Sequence, residues 1–355
     1  MKIIQRYFTV TLVGTSLLAL SVLVALFAFF SLIDQLEETG KGSYGVAQAL
    51  TYVLLTMPRL AYELFPIAAV IGSMAPLGMM AQNSELAVIR TAGVSKINLS
   101  LVLAKSGLVL VMIAIVIGEL LAPICEEKAQ HMRSMALTEQ IALKTKYGFW
   151  ARDGNSYINI RKVLPSGKVE QIYIYEFDDN DELRSSIHAE KGEYEDGKWL
   201  LENIQQSVIS KELVKRQHHE LANWDSLLDS EMVNMLIVKP EYLTLWGLIH
   251  YIDFLNQNVQ DAQRYEQALW TKIIRPLSIL AMIVLAVPLV RGTSRTTAIG
   301  QRVFVGALIG IIFHICNQMT GHMGVVYDIS PAISVTVPTI ALALITLFLL
   351  RNHAP

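Results

Sequence analysis

Four polar residues late in the chain, His314, Asn317, His322 and Asp328, come nearest to an acid–base group. An imidazole beside a carboxylate can move protons, but these spacings match no nucleophile–base set. Hydrogen bonding between helices accounts for them more simply. The sequence holds no G-x-x-x-x-G-K-[ST] run, no H-E-x-x-H and no G-x-S-x-G. The chain therefore builds no phosphate-cradling loop, zinc-protease helix or nucleophile elbow of its own. Cys125 and Cys316 are too few and too far apart for a disulfide framework or a metal site, and read as small apolar packing residues.

Recognition chemistry is better represented. Residues 83–95 (N-S-E-L-A-V-I-R-T-A-G-V-S) lie between two long apolar runs and predict a short helix. Asn83 or Ser84 can cap its start, Glu85 sits in the first turn where the helix dipole favours a carboxylate, and Gly93 can close it. Glu85, Val88, Ile89 and Ala92 fall on one face by i, i+3, i+4, i+7 spacing. At ~1.5 Å per residue this helix is far too short to span a bilayer. The pattern suits equally a helix that docks into another protein's groove and one that lies on lipid headgroups.

The elements that would position it are membrane spans. Of 355 residues 53% are hydrophobic and only 17% charged, with mean hydropathy +0.41, where a soluble domain carries about 25% charge. A net charge of −2 without basic tracts argues against nucleic-acid binding. Apolar runs at 8–33, 52–80, 99–123, 269–290, 303–323 and 333–350 predict six spans, the first retained rather than cleaved. Pro58, Pro66 and Pro76 interrupt the second span, where Arg59 and Glu63 stand four apart. Glu119 near the end of the third reads as a snorkelling carboxylate.

Between spans three and four the periodicity changes. Runs at 156–161, 170–176 and 199–204 alternate apolar and polar, separated by turn signals such as Asp153-Gly154, Pro165-Ser166-Gly167 and Asp196-Gly197. Short strands at such spacing predict a β-sandwich or jelly roll. The expected organisation is spans one to three with the short helix (1–123) and a helical connection (124–147). A β domain (148–238), an amphipathic helical segment (239–265) and spans four to six (266–355) complete it. Lys2, Arg6, Arg90, Lys96, Arg291, Arg295, Arg302 and Arg351 fall on one side of the six spans, against little beyond Lys41 on the other. The positive-inside bias places both termini and residues 83–95 in the cytoplasm and the β domain outside it. Such a chain suggests a transporter subunit powered by another protein, the rival being a scaffold that anchors or transmits force without moving substrate.

Several motifs then carry a resemblance. They are Asp34-Gln35-Leu36 with Gly42-Ser43-Tyr44, Ser84-Glu85-Leu86 through Ala92-Gly93, and Gly118-Glu119 with Ala122-Pro123. Further on come Gly148-Phe149-Trp150-Ala151-Arg152-Asp153-Gly154-Asn155, Asp261-Ala262-Gln263-Arg264-Tyr265 and Pro276-Leu277-Ser278. In this order they resemble the inner-membrane permeases of the lipopolysaccharide export ABC transporter, the LptF/LptG family, and its LptG branch more than its LptF branch. The resemblance implies an α-helical membrane protein of six transmembrane helices (3+3) with an inserted extracytoplasmic β-jellyroll.

It also implies a heterodimer with a paralogous, LptF-like permease around a central cavity, above a cytosolic LptB-like ATPase dimer that binds the ATP. This chain then needs no cofactor. A membrane-anchored periplasmic protein with a similar β-jellyroll (LptC-like) would continue the path for lipopolysaccharide. Residues 83–95 become the coupling helix, with Ser84, Glu85, Leu86, Val88, Ile89, Arg90, Ala92 and Gly93 as its docking residues. Arg133 matches a family position for the lipid's phosphates, and Lys41 and Lys128 join it by position alone. Leu26, Phe30, Ile311 and Ile315 would supply the apolar cavity wall. The chain departs from relatives that carry lysines at the end of the first span, having Ser31, Glu37 and Glu38 there.

Overall fold

The computed structural model describes residues 2–92, 94–137, 149–153, 155–164, 168–178, 180, 182–195, 198–210, 213–224, 239–257, 260–291 and 299–352. Helices α1 (Lys2–Leu36), α2 (Val46–Gln82), α3 (Glu85–Thr91) and α4 (Lys96–Val116) come first. A π-helical turn, Ile117–Leu121, joins α4 to α5 (Ala122–Leu137). Six strands follow: β1 (Phe149–Asp153), β2 (Ser156–Val163), β3 (Val169–Phe177), β4 (Leu183–Glu195), β5 (Lys198–Ile209) and β6 (Val214–Trp224). A 3-10 turn (Pro240–Tyr242) leads into α6 (Leu245–Gln257), α7 (Gln263–Arg291), α8 (Ile299–Val326) and α9 (Pro331–Asn352).

Six helical stretches among the described residues are long and apolar enough to cross a membrane: Gln5–Leu36, Val46–Gln82, Ile97–Leu137, Gln263–Val290, Ile299–Val326 and Pro331–Arg351. Three precede the β domain and three follow it, and the chain is a multi-pass membrane protein. The third stretch has 41 residues, roughly 60 Å of helix, about twice the hydrocarbon thickness. Its excess lies toward the β domain, where α5 carries Glu126, Glu127, Lys128, His131 and Arg133. The helix absorbs one extra residue in the π turn and continues, so the 124–147 connection, as far as it is described, belongs to the same rod.

The centre of the bundle is α2. Its three prolines leave it a single 37-residue helix rather than an interrupted one. Eighty-three per cent of its apolar window is buried, against 17% for α1. From Leu64 to Met74 every residue of α2 is buried, wrapped by α1, α7 and α8. Two close approaches make this possible. A Cβ on Gly72 would fall on the backbone of Ser16 in α1, and Gly310 of α8 lies against Ile67. Thr15 donates to the Gly72 carbonyl at the α1 crossing, an interhelical hydrogen bond of the kind lipid-exposed bundles favour.

The inserted β domain is present. Its six strands form one antiparallel sheet in the order β1-β2-β3-β4-β5-β6, each pairing with its chain neighbour. Inward positions include Ile158 and Ile160 on β2, Ile172 and Ile174 on β3, and Trp199, Leu201 and Ile204 on β5. Gln171 and Asn203 have φ of 57° and 52°, which flips the alternation. Val169 and Ile172, and likewise Leu201 and Ile204, therefore face inward three residues apart instead of two. The same apolar cluster takes in Leu248, Tyr251, Phe254 and Leu255 of α6, so α6 belongs to the β domain's core.

Replacing Gly72 by alanine is expected to destabilise the chain by about 1–3 kcal/mol, because the methyl group meets backbone that cannot rotate away. Thermal unfolding of the purified variant in detergent measures this, and an unchanged Tm would remove the α1–α2 crossing as a tight constraint.

Candidate functional site at the two ends of the central helix

The C-terminal end of α2 carries α3. Ser84 turns the chain with φ 62°, and its carbonyl accepts the Ala87 and Val88 N–H groups. Glu85 in the first turn receives the Tyr7 hydroxyl at 3.3 Å and the Asn83 amide at 3.4 Å. Leu86 and Ile89 pack inward on the bundle core, while Val88 is 66% exposed and Ala92 is exposed. Of the expected face, Glu85, Val88 and Ala92 look outward together, and Ile89 is the residue that turns in. The Arg90 side chain and Gly93 lie outside the described residues. Chemically α3 is a two-turn ledge, anchored by two apolar side chains and presenting a carboxylate beside small apolar groups.

The far end of α2 is polar. The turn between α1 and α2 is pinned to the end of α5, Ser43 donating N–H and Oγ to the Ala136 carbonyl at 2.9 and 3.1 Å. Gly42, at φ 58°, lies so close to that carbonyl that a Cβ would clash with it. Tyr44 is buried beneath, its hydroxyl donating to Gln35 at 2.9 Å, and burial pushes that phenol's pKa up. This clamp brings Glu38 onto Arg133, whose Nη2 and Nε lie 2.6 and 3.3 Å from one carboxylate oxygen. The Arg133 guanidinium also sits over the Tyr52 ring at 5.3 Å. Lys41 and Lys128 are exposed near this clamp. Leu26, Phe30, Ile311 and Ile315 are each about half exposed on the open sides of α1 and α8.

Two ion-pair clusters that span great sequence distances join the bundle to the β domain. Glu119, in the π turn, accepts from Lys272 of α7 at 2.7 Å and from the Leu245 N–H at the start of α6 at 2.8 Å. Glu119 is therefore an interhelical anchor rather than a snorkelling side chain. The Lys272 side chain is only 4% exposed, so a partner is required there. Arg59 of α2 pairs with the fully buried Glu126 at 3.1 Å and more loosely with Glu63 at 3.5 Å. It also donates to the Tyr242 hydroxyl at 2.5 Å, with its guanidinium over that ring at 4.7 Å. Burial outweighs the nearby arginine and pushes Tyr242 up to about 12, so it remains a neutral phenol at physiological pH.

Between these clusters lies a cavity of about 300 Å³, bounded by α2, the π turn, α7, α8 and the 3-10 turn. Arg59, Lys239, Lys272 and Arg275 line it with Glu63, Glu241, His314 and His322. The late polar group is thus divided: His314, Asn317 and His322 line the cavity, whereas Asp328 accepts from Gln263 at 3.2 Å. Lys272, Arg275, Glu126 and Tyr242 were not among the candidates drawn from sequence. Two charged residues inside the fourth apolar run were the available signal.

Removing the Glu119 carboxylate (Glu119→Ala) is expected to cost about 3–5 kcal/mol by stranding the Lys272 ammonium. Joining it with Lys272→Met should restore most of the loss. Unfolding of both single variants and the double variant measures the coupling, and additive effects would show that the two side chains do not depend on each other.

The family model "Lipopolysaccharide export system permease LptF/LptG" matches residues 6–352. The lipopolysaccharide export system permease protein LptG of Haemophilus influenzae is 32% identical over 351 residues, covering 98% of each chain. The LptG of Escherichia coli strain K12 is 32% identical over 356 residues, covering 99% of each. With nearly its whole length matched, six apolar helices and an inserted β domain, the chain belongs to the LptF/LptG family of lipopolysaccharide export permeases.

Proposed function

We propose that the chain is the LptG-type permease subunit of an inner-membrane ABC transporter that extracts lipopolysaccharide and passes it toward the outer membrane. A separate cytosolic ATPase dimer supplies the energy. The observation that carries this reading is the ledge at the inner end of α2, where Glu85, Val88 and Ala92 stand outward on a helix anchored by Leu86 and Ile89. That shape and charge suit insertion into a basic groove of the ATPase. The positive-inside bias supports cytoplasmic termini and a periplasmic β domain.

A paralogous LptF-like permease would close the cavity against the half-exposed faces of α1 and α8. Leu26, Phe30, Ile311 and Ile315 would there meet acyl chains. A periplasmic LptC-like jellyroll protein would extend the path from the β domain. Arg133 reaches a lipid phosphate in this scheme by exchanging Glu38 for it, with exposed Lys41 and Lys128 adding charge at the same rim. Glu38 is then a gate on that arginine, occupying it when no cargo is present.

The test is purification from the native membrane with identification of co-purifying proteins and lipids, for wild type and Glu85→Lys. Wild type should bring down a paralogous permease, an ATPase and lipopolysaccharide. The charge reversal should lower ATPase recovery at least about tenfold, as expected when a partly buried charge loses its partner. An intact, transporting complex in the variant would refute the docking role, and wild type recovered with neither ATPase nor glycolipid would favour a scaffold.

A further inference from the structure

The cavity beneath the β domain contains a charge pair that is separated. Arg275 lies on α7 among membrane-spanning residues, its guanidinium stacked over Tyr62 at 4.3 Å. It makes no ion pair among the described residues, whereas Lys272 and Arg59 are both engaged by carboxylates. A cation on a membrane helix without a carboxylate partner is costly, and the Tyr62 contact engages only part of the five-donor guanidinium, which keeps N–H groups for a further acceptor. Glu63 is the complementary loose end. It is the weaker partner of Arg59, at 3.5 Å against 3.1 Å for Glu126.

Glu63, Arg275 and His314 line both the 300 Å³ cavity and a smaller adjoining one of about 30 Å³. The larger volume is far more than the roughly 10–15 Å³ that admits one water, and falls at the low end for small-ligand cavities. The region's four cations, Arg59, Lys239, Lys272 and Arg275, are matched by four carboxylates, Glu63, Glu241, Glu119 and Glu126. A simple anion would leave that balance negative, whereas a ligand carrying one charge of each sign preserves it.

We infer that this cavity holds the headgroup of a zwitterionic bilayer phospholipid, an ethanolamine phosphate, with the phosphate on Arg275 and the ammonium on Glu63. The phosphate fork geometry suits arginine, and His314 and Asn317 offer further polar contacts. This goes beyond the transport reading and requires only that the six helices lie in a membrane. Its failure would leave the ATPase and permease co-purification untouched.

The experiment is native mass spectrometry of the full chain reconstituted with defined lipids and no glycolipid. The probes are a phosphatidylethanolamine and a phosphatidylglycerol of identical acyl chains. Wild type should retain phosphatidylethanolamine about tenfold over phosphatidylglycerol, the scale of one charge-assisted contact. Arg275→Gln should lose both lipids, with Arg275→Lys restoring part of the retention. Glu63→Gln should keep phospholipid but lose the preference. Circular dichroism and elution volume confirm that each variant is folded. No retained lipid, retention only when glycolipid is added, or equal retention by all variants would overturn the assignment.

Discussion

The structure depends on compensating charge where an apolar bundle meets a water-facing β domain. Helices that leave a bilayer must carry polar residues at their ends, but those ends also have to pack. Glu119 meets both demands by accepting from the buried Lys272 ammonium with one oxygen and from the Leu245 N–H with the other. The π turn that sets Glu119 is therefore the point at which three separate segments, α4–α5, α6 and α7, are fixed relative to one another. Arg59 performs the parallel service for α2, α5 and the 3-10 turn. In low dielectric such groups stabilise only as a complete set, since any one left alone carries an uncompensated desolvation cost.

This division of labour explains which parts of the chain were legible in its sequence. Span number and the β insertion follow from periodicity, which is local and redundant over many residues. The short helix at 85–91 was also local, with Glu85 at one end and a glycine past the other. The anchors were not legible because their partners are distant in the chain, 153 residues apart for Lys272 and Glu119 and 95 for Arg133 and Glu38. Glu119 alone looks like a snorkelling carboxylate, and only the neighbouring helix shows what it binds. The left-handed residues Gln171 and Asn203 are similarly silent, because the sheet context rather than the residue type imposes the flip in facing.

The glutamates at 37 and 38 belong to the same theme. They looked like a departure from a basic rim. In the folded chain one carboxylate oxygen of Glu38 accepts two N–H groups of Arg133, at the clamp built by Gln35, Gly42, Ser43 and Tyr44. An exposed arginine would be free for any anion, whereas one already held by a carboxylate yields only to a stronger competitor.

The unbroken course of α2 has a mechanical consequence. A helix of 37 residues is a rod about 55 Å long. Two of its three prolines, Pro66 and Pro76, are buried among the neighbouring helices, so the bending is suppressed where it would be easiest. Pivoting such a beam by about 5° about one tip sweeps the opposite tip through roughly 5 Å, the rise of one helical turn. Neither tip of this beam can be moved without the other recording it.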